Sequence, residues 1–129
     1  MSHQTPENLK YSKEHEWAKI EGDIMTIGIT DFAQSSLGDI VFMELPDIDS
    51  TFSKGDSFGV VESIKSVSDL YSPVSGTVVE AHTDLADTPE LCNSAPYDSW
   101  MIKIKMDNPS EAEELLNSKD YESFCADSE

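Results

Sequence analysis

Apolar residues along this chain fall in short runs with a period near two, broken every few residues by Gly, Pro, Asp or Ser. "WAKI" and "IMTIGIT" flank the Gly-centred turn "EGD" and read as a hairpin. "TDFAQSSLG" then changes character. Thr30 is placed to cap a short helical turn that Gly38 ends in the left-handed conformation. "IVFMELP" is a strand stopped by Pro46, and "KGDSFGVVESI" leads from a turn into a strand ending near Ile64. "SVSDLY" and "SGTVVEAH" continue the strand pattern, the second opening on the turn pair Ser75-Gly76. "HTDLADTPELCNSAPYDS", with Pro89 and Pro96, reads as loop. Trp100, Ile102, Ile104 and Met106 alternate with Met101, Lys103 and Lys105, the mark of a half-buried strand.

The period switches at the C-terminus. Asn108, Pro109 and Glu111 form a capping-box-like start, and Ala112, Leu115 and Leu116 supply an apolar stripe. A second short helical piece is expected from Lys119 to Phe124. The first ten or so residues, polar and with Pro6 early, are expected to be a loosely held arm. Many short strands closed by a C-terminal helix predict a mainly β barrel or sandwich, one domain over residues 1–129.

Charge narrows the function classes. Asp and Glu total 26 against 8 basic residues, all of them lysine, for a net charge of −18. That balance argues against nucleic acid and against anionic membranes as partners. Its plain meaning is solubility, with steering toward basic protein patches as the sharper one. No apolar run reaches membrane-spanning length, and the N-terminus lacks a signal-peptide core, so a cytoplasmic setting is expected. Cys92 and Cys125 form no CxxC and read as structural or surface thiols in a reducing compartment. His3, His15 and His82 are scattered. "DIDSTFSKGDSF" fails as a calcium loop, with Phe52 where Gly is required and Phe58 where the closing Glu belongs. Neither a G-x-S-x-G elbow nor a Gly-rich phosphate loop occurs.

One lysine stands apart. In "VVESIKSVSDLYSPVSGTVVE", Val60 to Glu80, Lys65 falls where two strands meet, with Gly55 ten residues before it and Gly76 eleven after. A solvated surface lysine is the ordinary reading. A catalytic amine needs burial or a cationic neighbour, whereas Glu62 and Asp69 favour the ammonium. Covalent attachment of a prosthetic group, which needs an exposed amine on a rigid tip, stays open beside the ordinary reading.

The same stretch resembles the lipoyl-lysine hairpin: an apolar strand, Glu, a small residue, any residue, Lys, then Pro-x-Ser-Gly. Its flanks "LKYSKEHEW", "TIGITDFAQSSLGDIVFMELP", "NSAPYDSWMIKIK" and "LLNSKDYESFC" are similar, in collinear order from about Leu9 to Phe124, to the glycine cleavage H-proteins. Biotinyl carriers place Met on both sides of the lysine, and lipoyl domains of 2-oxo acid dehydrogenases usually have Asp before and Ala after it. Ile64 and Ser66 stand there instead.

The resemblance implies a barrel-sandwich hybrid of short antiparallel strands, of the lipoyl/biotinyl kind, with short helical turns and a C-terminal helix. It implies lipoic acid amide-linked to Lys65, with Glu62, Ser63, Ile64 and Ser66 recognised as the attachment hairpin. The implied protein is a carrier and not itself an enzyme. It takes the aminomethyl group of glycine from glycine decarboxylase (P-protein) to the tetrahydrofolate-dependent aminomethyltransferase (T-protein). Dihydrolipoyl dehydrogenase (L-protein) reoxidises it, and a lipoate ligase or an octanoyl/lipoyl transferase loads it. Glu16 and Asp69 match family positions near the cleft that shelters the loaded arm. A carrier that relays lipoate to other enzymes is the alternative, since the same hairpin would serve. Two positions depart from the family pattern. Phe32 stands where many members have His, and Ser99 where Gly commonly precedes the Trp.

Overall fold

A computed structural model describes residues 5–128, with side chains to residue 126. Its larger sheet has six antiparallel strands in the order β1 (Lys10–Tyr11), β2 (Glu16–Glu21), β3 (Ile24–Ile29), β9 (Ile102–Met106), β8 (Gly76–Ala81) and β5 (Thr51–Phe52). The smaller sheet has three: β4 (Ile40–Glu44), β6 (Ser57–Ser63) and β7 (Val67–Tyr71). The mainly β class read from the sequence is the observed one. Among the described residues no helix is long and apolar enough to cross a membrane.

Alternation explains the core. In β9, Ile102, Ile104 and Met106 point inward, while Lys103 and Lys105 point out. They meet Met25 and Ile27 of β3, Val78 of β8, and Val61, Leu70 and Met43 of the smaller sheet. The expected strand start at Trp100 is corrected to Ile102. Trp100 stacks on His82 with ring centroids 4.4 Å apart, and Met101 is buried although the alternation puts it outside. At Gly28 the indole of Trp17 lies across the strand so closely that an added Cβ would sit 2.6 Å from it.

Helix α1 (Asp31–Leu37) begins as read and ends at the expected glycine, whose φ is positive but whose ψ of −158° is extended, not left-handed helical. Thr30 Oγ1 accepts from Ala33 N, and Gly38 closes it at φ 82°. The stretch expected as loop holds two short helices, α2 (Thr83–Asp87) and α3 (Leu91–Ser94). Each sends one apolar residue inward, Leu85 and Cys92. One anchor per turn produces no visible periodicity, which is why the pattern missed them.

The C-terminus needs a second correction. Asn108 caps only a 3-10 helix, Pro109–Glu114, and Glu111 does not turn back to complete the capping box. Its carboxylate accepts from Ser75 N at 2.8 Å and Ser75 Oγ at 3.1 Å instead. The principal helix is the later one, α4 (Ser118–Ser128), with Asn117 Oδ1 accepting from Asp120 N. Tyr121 drives α4 into a separate cluster with Leu9, Tyr11 and Trp17, its ring 4.6 Å from that of Tyr11. Of the expected arm, residues 1–4 lie outside the described residues. Leu9 is buried, and β1 is tied to Leu116 by paired backbone bonds.

Tyr121→Ala empties this cluster and is expected to cost roughly 3–5 kcal/mol of unfolding free energy. Urea denaturation checks it, and a loss under about 1 kcal/mol would mean that α4 is not packed as described.

Candidate functional site

Between β6 and β7 the chain turns through Ile64, Lys65 and Ser66, all exposed. Ser63 builds the turn. Its hydroxyl oxygen accepts from Lys65 N and Ser66 N, both at 3.1 Å, and its own N–H donates to Ser66 O at 2.8 Å. Ile64 N donates to Asp39 O at 3.0 Å, fastening the turn to the chain leaving α1. Bonds of this kind fix the backbone from which the lysine side chain leaves. The Lys65 stem lies back across Gly38, where an added Cβ would come 3.1 Å from Lys65 Cε.

Glu62 is half-buried in β6, with Phe42 of β4 opposite on one side and Val67 of β7 on the other. The pairing of β4 with β6 slips between Ile40 and Phe42, and at this bulge Val41 and Phe42 are both exposed. With Ile64 (68% exposed) and Val67 (64%) they form an apolar margin around the lysine. The sequence could not have shown it, because "IVFMELP" is apolar enough to be a fully buried strand.

A cleft of about 280 Å³ opens beside the turn, between α1 and the β6–β7 hairpin. Leu37 and Ser36 stand at the Gly38 end of α1, with Phe32 one helical stretch further in. Glu14, His15 and Glu16 also line the cleft, together with Asp69 and Leu70. The structure thus puts Glu16 and Asp69 on one cleft. Asp69 is exposed and holds the Tyr71 hydroxyl pKa above its usual value by its negative charge. Glu16 is only 3% exposed. Ser12 Oγ donates to Oε1 at 2.7 Å, and Tyr71 N to Oε2 at 3.1 Å. Burial pushes the Glu16 carboxyl up to about 8, against the pull of those two bonds. A second hollow of about 400 Å³ lies on its other side, bordered by Lys13, Lys54 and Tyr71. Lys54 is ion-paired there with Glu114.

Sequence reasoning missed His15. Its backbone sits at φ 67°, unusual for a residue with a side chain. Nδ1 is 2.7 Å from the Tyr121 hydroxyl, which is 2.8 Å from Thr30 Oγ1. The ring stacks on Phe32 at 4.7 Å, and burial pushes its pKa down, favouring the neutral form. Only its place in "HEW" could have singled it out; His3 lies outside the described residues. The two departures from the family pattern also find their places. Phe32 is a wall of the cleft. Ser99 is buried and needs no left-handed backbone; its hydroxyl reaches Ala95 O at 2.7 Å and Leu91 O at 3.1 Å.

The sequence profile of the family described as "Glycine cleavage H-protein" matches residues 9–128. The chain is 58% identical over 118 residues to the glycine cleavage system H protein of Carboxydothermus hydrogenoformans, covering 91% of each. It is 54% identical over 117 residues to that of Staphylococcus saprophyticus, covering 90% of this chain and 93% of the relative. The crystal structure of a glycine cleavage system H protein from Mycobacterium marinum superposes with a TM-score of 0.82. Its identity is 38%, covering 90% of this chain and 94% of that one.

Because the folded pKa of Glu16 lies above the usual 4.5, its contribution to stability is fully present below about 4.5 and is lost as pH rises through about 8. Glu16→Gln keeps an oxygen for Tyr71 N and turns its amide toward Ser12 Oγ. The difference in unfolding free energy between variant and wild type is expected to move in the variant's favour across that window. A constant difference from pH 4.5 to 8 would refute the buried-acid assignment.

Proposed function

This chain belongs to the glycine cleavage H-protein family, and on that premise we propose that Lys65 is the lysine through which it carries its prosthetic group. A member of this family is the lipoyl carrier of the glycine cleavage system, passing the aminomethyl group of glycine between the enzymes of that system. Its own part here is read as presentation and shelter, not catalysis. Lipoate joined by an amide to Lys65 would supply the dithiolane chemistry on which the aminomethyl group is carried.

The observation that carries the reading is the placement of Lys65. Lys65 is exposed on a turn whose backbone is bonded to Ser63 and Asp39, and its stem runs over Gly38, the residue after Leu37 of the cleft wall. The residues fit an acylated lysine. Gly38 has no side chain where the stem lies, and the neighbouring cleft offers apolar groups, Leu37, Phe32 and Leu70, together with the acids Glu16 and Asp69. Phe32, Leu37 and Leu70 would exclude water along an arm lying there. Glu16 and Asp69 offer carboxylates where an amine at the end of the arm would arrive. A cation beside Glu16 draws its pKa down and favours the charged carboxylate, so buried acid and arriving amine stabilise each other.

Glu62, Ser63, Ile64 and Ser66 are the residues that a loading enzyme would meet around the amine, with Ser63 fixing the shape and Ile64 and Ser66 forming the outer surface. The proposed partners are glycine decarboxylase, the aminomethyltransferase, dihydrolipoyl dehydrogenase, and a lipoate ligase or octanoyl/lipoyl transferase. The proposed setting is the cytoplasm.

Intact mass and peptide mapping of chain produced in a lipoate-competent host should show one lipoyl adduct, on Lys65. An unmodified chain, or an adduct on another lysine, sinks the proposal. Lys65→Arg keeps the turn but cannot form the amide. It should leave the fold intact by circular dichroism and reduce glycine decarboxylation in the reconstituted system to background.

A further inference from the structure

Asn93, on the four-residue helix α3, makes three side-chain hydrogen bonds to the segment that backs the lysine turn. Oδ1 accepts from Ile40 N at 2.9 Å, and Nδ2 donates to Gly38 O at 2.8 Å and to Gln34 Oε1 at 3.0 Å. A backbone N–H can only donate and a backbone carbonyl can only accept, so the orientation of this amide is fixed by its partners. Helix α3 is a firm mount. Cys92, next to Asn93, is fully buried in the core, and the Ser99 hydroxyl reaches the carbonyls of Leu91, which opens the helix, and Ala95, which follows it.

The residues so held are a ledge. Gly38 lies under the Lys65 stem, Asp39 O receives Ile64 N, and Ile40 opens β4 opposite Ser63. Gly38 is also at φ 82°, a conformation with no side chain of its own to stabilise it. Without Asn93, Gly38 O and Ile40 N lose their partners on either side of Asp39, and the peptide that grips Ile64 is free to turn.

We propose that Asn93 is a positioning residue for the lysine: by locking the Gly38–Ile40 ledge, it sets the Lys65 turn in the orientation that the loading enzyme requires. The inference rests on the reading of Lys65 as the lipoylated residue. It assigns to the "NSAPY" segment a role in presenting a side chain 28 positions earlier in the chain.

Two measurements test it. In Asn93→Ala, hydrogen exchange of the Ile64 amide should accelerate roughly tenfold, about the worth of one hydrogen bond, while that of Val61 in the same strand stays put. Lipoylation of the unmodified chain by lipoate ligase, with lipoate and ATP, should fall in kcat/KM by a similar factor. Asn93→Asp should be worse than Asn93→Ala in both, because a carboxylate oxygen would then oppose Gly38 O. Val78→Ala, which opens a core gap in the other sheet, controls for general loss of stability and should change neither. Unchanged exchange at Ile64, or a loading defect in Asn93→Ala no larger than in Val78→Ala, overturns the proposal. A wild-type chain that accepts no lipoate overturns the functional reading instead, and exchange at Ile64 still decides whether Asn93 locks the ledge.

Discussion

Strand β6 is paired along both edges. It meets β4 through Met43 with Val61 and Glu44 with Val60, and β7 through Val61 with Ser68 and Glu62 with Val67. Its inward residues Phe58 and Val61 are buried in the core, so a slip of one residue would move them to solvent. The position of the lysine turn follows from that double pairing. So does the cleft, because Val61 and Leu70 form part of its wall and α1 packs across from them. Tyr71, at the end of β7, donates its N–H to the carboxylate of Glu16, which extends the same restraint to the larger sheet. The two sheets are therefore joined by a buried acid as well as by apolar contact.

Much of this was legible in the sequence. The alternation of β9, the Thr30 and Gly38 ends of α1, and the hairpin about Lys65 each rest on a local signal. That signal is periodicity in the first case, a capping residue and a glycine in the second, and two strand segments with Gly55 and Gly76 at their outer ends in the third. What escaped was set by distant partners. Glu111 belongs by sequence to a capping box, but the backbone N–H and hydroxyl of Ser75 win its carboxylate. Leu115 and Leu116, read as part of a helical stripe, follow a 3-10 turn, and the helix forms only after Asn117, where Tyr121 can reach the cluster around Tyr11. His15 carries no local mark, since its surroundings come from α1 and α4. The bulge at Val41 is invisible in a run of apolar residues for the same reason: pairing with β6 creates it.

The cleft collects acids in a chain that already has a large surplus of them. Glu14, Glu16 and Asp69 share one lining, and His15 beside them is kept toward neutrality by burial. Glu16, the most enclosed of the acids, is also the one whose burial works against its charge. An arrangement of this kind is costly for the empty protein and favourable once a cation enters. On the proposed function, selectivity for an amine would come from the protonation state of one carboxyl group more than from shape.

The bulge at Val41 also governs how molecules treat one another in solution. It interrupts the regular outer edge of β4, so the edge offers no unbroken ladder to a neighbouring strand. It does so by turning two successive apolar side chains outward, next to Ile64 and Val67, and those would pair with their own kind. At neutral pH the charge of −18 keeps such encounters apart at long range. Near the isoelectric point of about 4.2 that repulsion is gone, and exposed apolar side chains such as these are then no longer kept apart by charge. The same few residues that frame the lysine are thus ones that the chain's net charge shields.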